Sequence, residues 1–425
     1  MDRRVVITGL GVVSPNGVGL PAFTDALKSG RSGIKHDPEL ARLGFSCQIA
    51  GKPELSEELI NGYLSPLERK NFNSSGILYG LIAGIDAWTD AGLYPSGSEA
   101  PDWDNGVLFG SGTSGIEKFR EAIYKIDELQ IRKLGSTVVA QTMNSGISAY
   151  LGGKLGMGNQ VSSNSSACTT GAESILMAYE RIKAGKAKRI LAGSTSDSGP
   201  YIWAGFDAMK VCTYKHNEAP EKGSRPMSST ASGFVPSAGA GALVLESLEA
   251  AMERGANIYA ELLGGHINSG GQRGQGTMTA PNSAAVQRCI REALRESDLT
   301  AADLDAINGH LTATSKDSLE IQNWCEALQR KGADFPYINS LKSMIGHPLS
   351  ASGSIEAVAT VLQIQQGFLF PNTNCEDLHP DITALIHPDR IPQKTLNLDL
   401  NIIAKASFGF GDVNACIIFK KYRNG

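Results

Sequence analysis

Apolar residues fall in short runs that alternate with longer stretches of helical period. Val5–Gly9, Gly106–Gly110, Arg189–Gly193, Ala240–Glu246 and Ala415–Phe419 read as buried strands. Leu20–Leu27, Ser74–Asp90, Thr170–Ala184, Ser283–Ser297 and Gly353–Gln366 read as helices. Strands that alternate with helices predict an α/β architecture. No long low-complexity segment divides the chain.

Two segments echo each other. GAESILMAYERIKAG, from Gly171 to Gly185, and GSIEAVATVLQIQQG, from Gly353 to Gly367, are helical patterns bounded by glycine, each with isoleucine three before the second glycine, at Ile182 and Ile364. A second echo pairs GFVPSAGAGALVLE, from Gly233, with GFGDVNACIIFK, from Gly409. In both, a glycine-rich turn leads into an apolar strand. Two echoes in the same order favour an internal duplication over coincidence.

Composition narrows the function. The 425 residues allow one large domain or two fused halves. Charge is nearly balanced, 39 basic against 43 acidic residues, which excludes the basic excess usual in nucleic-acid binders. The 48 glycines predict many tight turns and close backbone approaches. Cys47, Cys168, Cys212, Cys289, Cys325, Cys375 and Cys416 are scattered, odd in number and never spaced C-x-x-C. That argues against a disulfide framework or a zinc site and suits a reducing cytoplasm. The opening MDRRVVITGLGVVSP lacks an apolar core long enough for a signal, and the sequence contains no membrane-spanning run, so a cytoplasmic protein with no membrane partner is expected.

The sharpest local signal is NSSACTTGAESILMAYERIKAG. Small polar residues precede Cys168, and Ile175, Leu176, Tyr179 and Ile182 follow in helical register. Cys168 therefore falls at a helix N-terminus, where the dipole and free N–H groups favour a thiolate and can stabilise an oxyanion. A free cysteine is as often a small buried hydrophobe, and Cys212, Cys289, Cys325 and Cys416 read that way. Among seven histidines, His310 in INGHLTATSKDSLE and His347 in NSLKSMIGHPLSASGS stand out. Each follows a glycine at an apparent strand-to-loop junction, and Lys342 lies just upstream of His347. Neutral imidazoles near a thiolate can stabilise a thioester enolate, the task in decarboxylating a malonyl thioester. A lysine could orient one histidine through a carboxylate, for which Asp317 and Glu320 are candidates.

At these residues the chain resembles the β-ketoacyl-acyl-carrier-protein synthases, the elongating condensing enzymes. VVITGLGVVSPNG, GSGTSG at Gly110, MNSGISA at Met143, SSACTTGAESI at Ser165, SRP at Ser224, KSMIGHPLSASG at Lys342 and SFGFGDVNA at Ser407 follow in family order across nearly the whole chain. MNSGISA is closer to the synthase I branch than to synthase II. The resemblance implies a thiolase-like fold. Its two duplicated α/β halves, residues 1–255 with the cysteine and 256–425 with the histidines, would form a five-layer α-β-α-β-α arrangement, as a homodimer. It implies decarboxylative Claisen condensation of an acyl group on Cys168 with malonyl carried on acyl carrier protein, with no cofactor and no metal beyond the carrier's phosphopantetheine. His310 and His347 would act on the malonyl group, with Thr312 and Thr314 on the malonyl side and Lys342 and Glu320 in support. The N–H groups of Cys168 and Phe410 would form the oxyanion hole. Thr113, Phe408 and Phe410 would shape the acyl pocket and its gate. The carrier would dock on Arg69 and Lys70, with Arg132 and Lys133 as a weaker pair. Asn308 and Glu356 match residues that line a structural cation site in many members, and Lys405 stands where those members have a small polar residue.

Several positions depart from the family pattern. Leu311 replaces the glycine of HGT, so its backbone must avoid positive φ or accept strain. Ser237-Ala238 replaces a glycine and glutamate, and Asp412-Val413 stands where GFGGTN is common. These leave the chemistry in place and put the acyl substrate in question, a specialised polyene product included. Two rivals are a chain-length-factor-like partner subunit, which would lack the nucleophile, and a non-decarboxylating thiolase, which would add a second reactive cysteine. Cys168 is present, and neither Cys375 nor Cys416 has a thiolase-like context.

Overall fold

The computed structural model describes residues 3–95 and 99–423. Ten strands carry the architecture: β1 (Val5–Ser14), β2 (Asn105–Ser111), β3 (Val161–Ser162), β4 (Arg189–Ser196), β5 (Gly239–Ser247), β6 (Ala260–Ser269), β7 (Ala306–Asn308), β8 (Tyr337–Asn339), β9 (Ile402–Gly409) and β10 (Val413–Lys420). They hydrogen-bond in the order β8-β7-β9-β10-β6-β1-β5-β4-β2-β3, and a short strand at Gly17–Val18 folds back on β1. β2 is parallel to β3 and β4, while β4–β5 and β5–β1 are antiparallel. The second half repeats the scheme: β7 is parallel to β8 and β9, while β9–β10 and β10–β6 are antiparallel. β1 and β6 join the halves as antiparallel neighbours. The helical and strand echoes read from the sequence fall at equivalent places in this repeat.

Six helices cover the sheet: α1 (Ser75–Asp90), α2 (Gly146–Leu155), α3 (Thr170–Lys183), α4 (Ser283–Glu296), α5 (Asp317–Leu328) and α6 (Ser352–Gln366). Successive strand residues point to opposite faces. In β5, Leu243 and Leu245 meet α3 and α6, while Ala242 and Val244 meet α1 and α2. In β10, Ile417 and Phe419 join the same central core, while Cys416 and Ile418 pack with α4 and α5. Two outer cores and one central core, which packs both sides of α3 and α6, therefore fill the four gaps between five layers, with α3 and α6 as the shared central one. With both faces covered, β1, β5 and β10 are nearly all buried, which explains their continuous apolar runs.

The central helices meet at glycine. A Cβ on Gly171 would lie 2.5 Å from the backbone nitrogen of Ser354, and one on Gly353 would lie 2.5 Å from that of Ala172. The Ser194 and Ser354 hydroxyls close the same contact at 2.7 Å. This crossing holds the N-termini of α3 and α6 side by side. Gly353→Ala is expected to destabilise the fold by about 1–3 kcal/mol, as overpacking against backbone cannot be relieved by a rotamer change. Denaturant unfolding at unchanged m-value checks it; a midpoint equal to wild type would show that the helices can part without cost.

Candidate active site

Four connections deliver the chemistry to one place. Cys168 follows β3, in a single 3₁₀ turn (Ala167–Thr169) that runs into α3. Ala167 sits at φ +50, a strained value for a residue with a Cβ. The turn is braced by Thr170, whose Oγ1 accepts from the Ser166 N–H at 2.9 Å and donates to the Ala167 carbonyl at 2.7 Å. His310 follows β7, Lys342 and His347 follow β8, and Phe410 follows β9. The cysteine thus precedes α3 as His347 precedes α6.

The reactive atoms of Cys168, His310 and His347 all lie within 4.8 Å of one another. The two imidazoles meet edge to face at 5.3 Å between centroids, and Phe234 packs on His347 at 5.2 Å in the same manner. His347 Nδ1 pairs with the Ser352 hydroxyl at 2.9 Å, and its backbone bonds to Val235 and Ser237 on the neighbouring segment. Ser352 belongs to the HPLSASG motif, but only the fold shows that it faces the imidazole. His310 Nδ1 lies 3.5 Å from the Lys342 ammonium, which can only donate, so the ring proton belongs on Nε2. Burial first, then the nearby Lys342 charge, holds both imidazoles well below the ordinary histidine range; His347 adds to this for His310, and Lys405 for both. They are neutral donors, as the enolate-stabilising role requires. His36, His216, His266, His379 and His387 are all at least partly exposed.

Cys168 is the one cysteine of the seven that is not buried. The expectation of a favoured thiolate needs correction. Burial pushes its thiol up to about 11, offset in part by Lys342 and by the N–H groups of Phe410 and of Cys168 itself. Those two N–H groups converge on the sulfur, as an oxyanion hole requires. Gly409 permits the approach, since a Cβ there would lie 3.1 Å from the Cys168 nitrogen.

The lysine's carboxylate is also corrected. Glu320 does not meet Lys342; its two oxygens accept the backbone N–H groups of His310 and Leu311, each at 2.7 Å. Burial raises the Glu320 carboxyl to about 7, against the pull of those two donors. Asp317 holds the next stretch, accepting from Thr312 at 2.9 Å and Ala313 at 3.1 Å. The partner of Lys342 is Glu356, which also binds the Lys405 ammonium at 2.6 Å. All three side chains are essentially fully buried. Lys405 also reaches the Ala406 carbonyl and the Ser407 hydroxyl. It pairs in register with Asn308 on β7, whose Oδ1 is buried without a hydrogen-bond partner. With an ammonium already on Glu356, this donor set does not fit an additional cation.

Cys168, His310, His347, Asp317 and Glu320 line a cavity of about 510 Å³. Thr113, Phe408 and Phe410 line it, as do Thr312 and Thr314, with Phe206 and Phe234 completing an aromatic wall. Phe206 meets Phe234 edge to face and Phe410 at a tilt. The four docking candidates do not line it. Arg69 is tied to Glu57 at 2.6 Å and to Asn61 at 2.7 Å, so it is not a free cation, while Lys70, Arg132 and Lys133 are exposed.

The departures are accommodated locally. Leu311 is fully buried in the outer core and keeps negative φ; the left-handed residue is Ala313, at φ +63. Asp412 takes φ +62 where the family pattern has glycine. Ser237 is buried with an unpartnered hydroxyl, and nothing in the structure explains it.

Comparison with known proteins agrees with this geometry. Residues 2–251 match the family described as "Beta-ketoacyl synthase, N-terminal domain" and residues 259–376 match "Beta-ketoacyl synthase, C-terminal domain". A 3-oxoacyl-[acyl-carrier-protein] synthase 2 of Rhizobium meliloti is 33% identical, with 99% of both chains covered. A synthase 1 of Escherichia coli is 32% identical over 99% of this chain and 100% of its own. Among solved structures, a β-ketoacyl synthase from Burkholderia phymatum superposes with a TM-score of 0.88 at 29% identity, covering 99% of this chain and 100% of that one. A type II polyketide ketosynthase solved with its acyl carrier protein and bound to a hexaketide gives 0.87 at 28%, with the same coverage. Cysteine, histidines, duplicated five-layer fold and full-length likeness converge: the chain belongs to the β-ketoacyl synthase family and has its thiolase-like fold.

Proposed function

We infer that this enzyme is a carbon–carbon bond-forming acyltransferase that condenses an acyl group, held on Cys168, with malonyl carried on acyl carrier protein. The observation that carries it is the cluster of one thiol and two neutral imidazoles within 4.8 Å, on the floor of an aromatic-walled cavity. In the first half-reaction the Cys168 sulfur attacks the thioester carbonyl. The thiol proton passes, by way of the His347 imidazole, to the departing phosphopantetheine sulfur, and the Cys168 and Phe410 N–H groups take the developing oxyanion. Collapse expels the phosphopantetheine thiol. In the second, the malonyl carbon–carboxylate bond breaks and carbon dioxide leaves. The electron pair enters an enolate, to which His310 and His347 donate hydrogen bonds. The nucleophilic carbon then attacks the acyl-Cys168 carbonyl, and the sulfur departs. No step needs a redox cofactor.

Several finer points belong to the same reading. We divide the chain into duplicated halves at 255/256. Lys405 supplies internally the positive charge that other members take from a bound cation, since its ammonium already sits on Glu356. A carrier protein is the partner, as in the polyketide complex above, and Arg69, Lys70, Arg132 and Lys133 remain its candidate surface. A homodimer is the expected assembly. Phe119, Ile123, Leu129, Ile131 and Val139 are exposed, and Thr113 beside them is open in the single chain, so a second copy would cover both. Among the described residues no helix is long and apolar enough to cross a membrane, and we place the enzyme in the cytoplasm.

Cys168→Ser is expected to abolish condensation with the fold intact, because an alkoxide cannot be formed where even the thiolate is disfavoured. His310→Ala and His347→Ala should retain some Cys168 acylation and lose malonyl decarboxylation by about 10²-fold or more. Intact-mass acylation and carbon dioxide release read the steps separately, and loss of acylation with surviving decarboxylation would falsify the assignment. In ¹⁵N-histidine spectra, His310 and His347 should stay neutral through and below the ordinary histidine range; protonation of either within that range would remove the neutral-donor role. Lys405→Ala leaves Glu356 with Lys342 alone and one oxygen unpartnered, so a lowered melting temperature and a new stabilisation by potassium or sodium are expected in thermal unfolding. Equal stability without ion dependence would refute the internal-cation reading.

A further inference from the structure

Asp412 is buried, unlike most aspartates at turns, and adopts the left-handed backbone that a side chain resists. A buried residue held in such strain is a candidate for a functional contact. Its carboxylate faces the segment 270–282, which connects β6 to α4. Oδ1 accepts the Asn282 N–H at 2.8 Å and Oδ2 accepts the Gln272 N–H at 3.1 Å. The Asp412 carbonyl accepts from Gly270 at 2.9 Å, and the Gly411 N–H donates to the Met278 carbonyl at 2.8 Å. The segment has no room to spare around the carboxylate. A Cβ on Gly270 would lie 2.1 Å from Oδ2, and one on Gly276 would lie 2.4 Å from it.

Both sides of this contact reach the cavity. Thr279, Ala280 and Pro281 line it from the segment; Gly409 and Phe410 line it from the turn. Phe410 also carries one of the N–H groups aimed at the Cys168 sulfur. We propose that Asp412 is a positioning residue, a clasp that binds the 270–282 segment to the 409–412 turn so that this cavity wall and the Phe410 backbone move as one body. It deepens the proposed function, on which it rests for the identity of the cavity as the thioester chamber. Opening the chamber for a bulky thioester then requires the wall and the oxyanion donor to shift together. The site is complete only when the wall is closed.

The clasp can be broken from either side in the full-length protein. Asp412→Gly removes the acceptor, and Gly276→Ala pushes the segment off it. Three readouts follow: tryptic cleavage after the exposed Arg273, labelling of Cys168 by a bulky aryl maleimide against iodoacetamide, and KM and kcat for acyl-carrier substrates. Both variants are expected to speed cleavage and maleimide labelling by about tenfold, the scale of losing one or two hydrogen bonds to a charged group, with a smaller change for iodoacetamide. KM should change together with kcat, as the oxyanion donor loses its register when the wall loosens. Asp412→Asn, which keeps one carbonyl acceptor, should fall between, and it decides the matter if Asp412→Gly does not fold. Unchanged cleavage and unchanged maleimide labelling in Gly276→Ala and Asp412→Asn, with only a lowered melting temperature, would overturn the clasp and leave Asp412 as a packing residue. Neither the cleavage nor the labelling needs turnover, so the clasp can fail while the condensation reading stands, or the reverse.

Discussion

The contact between Gly171 and Gly353 is the constraint from which the rest of the molecule follows. Two helices can share one central layer only if their backbones nearly touch, and a side chain at either glycine would meet backbone at 2.5 Å. Because both helices are buried against strands on two sides, neither can move away without opening a core. The crossing therefore fixes where their N-termini lie, and the residues just before those N-termini are Cys168 and the His347 segment. Duplication is what makes this arrangement economical in sequence. The same strand–turn–helix unit, used twice and face to face, brings a nucleophile from one copy to an imidazole from the other.

That meeting place is electrostatically costly. It holds two lysines, one carboxylate between them, two imidazoles and a thiol, nearly all out of water. Sharing Glu356 between Lys342 and Lys405 leaves one net positive charge, which acts in opposite senses on its neighbours. It lowers the thiol towards ionisation while burial raises it, and it works with burial to keep the imidazoles unprotonated. The balance leaves two neutral imidazoles, each with a ring N–H to donate, beside the thiol. A buried ion pair is weak ground for stability, since desolvation consumes much of the attraction. Its value here lies in which protonation states it permits.

Much of this was legible in the sequence because the central strands are covered on both faces and the central helices are bounded by glycine. β1, β5 and β10 announce themselves as apolar runs, and the α3 and α6 echoes expose the duplication. β9 is harder to read, because IIAKASFG carries a lysine in the middle of a fully buried strand and the pattern argues against one. β6 is obscured by Gly264 and Gly265, beside which its pairing with β10 slips register. β3, β7 and β8 are two or three residues long, too short to show a period. In the site, Cys168, His310 and His347 are visible from local context. The partner of Lys342 is not, for a reason that no motif can repair. Glu356 and Glu320 are both acidic and both near a histidine motif, and only the fold decides that one faces the ammonium while the other turns to the backbone of His310 and Leu311.

The departures from the family pattern show how a strained loop can be rebuilt without losing its task. Where the family pattern has glycine after His310, Leu311 keeps ordinary φ and is buried in the outer core. The left-handed residue is Ala313, and Asp317 offsets the strain by accepting its N–H and that of Thr312. At the other turn, Asp412 accepts positive φ and returns hydrogen bonds to a neighbouring segment, something glycine cannot do. In both places an aspartate carboxylate accepts backbone N–H groups, of its own loop for Asp317 and of a neighbouring segment for Asp412. The difference lies in reach. Asp317 serves mainly its own loop and takes only the single N–H of Met227 from a segment 90 residues away, whereas Asp412 gives both its oxygens to a separate segment, 130 and 140 residues away. A substitution of the first kind preserves a local shape. One of the second kind makes the shape of one cavity wall depend on that of another.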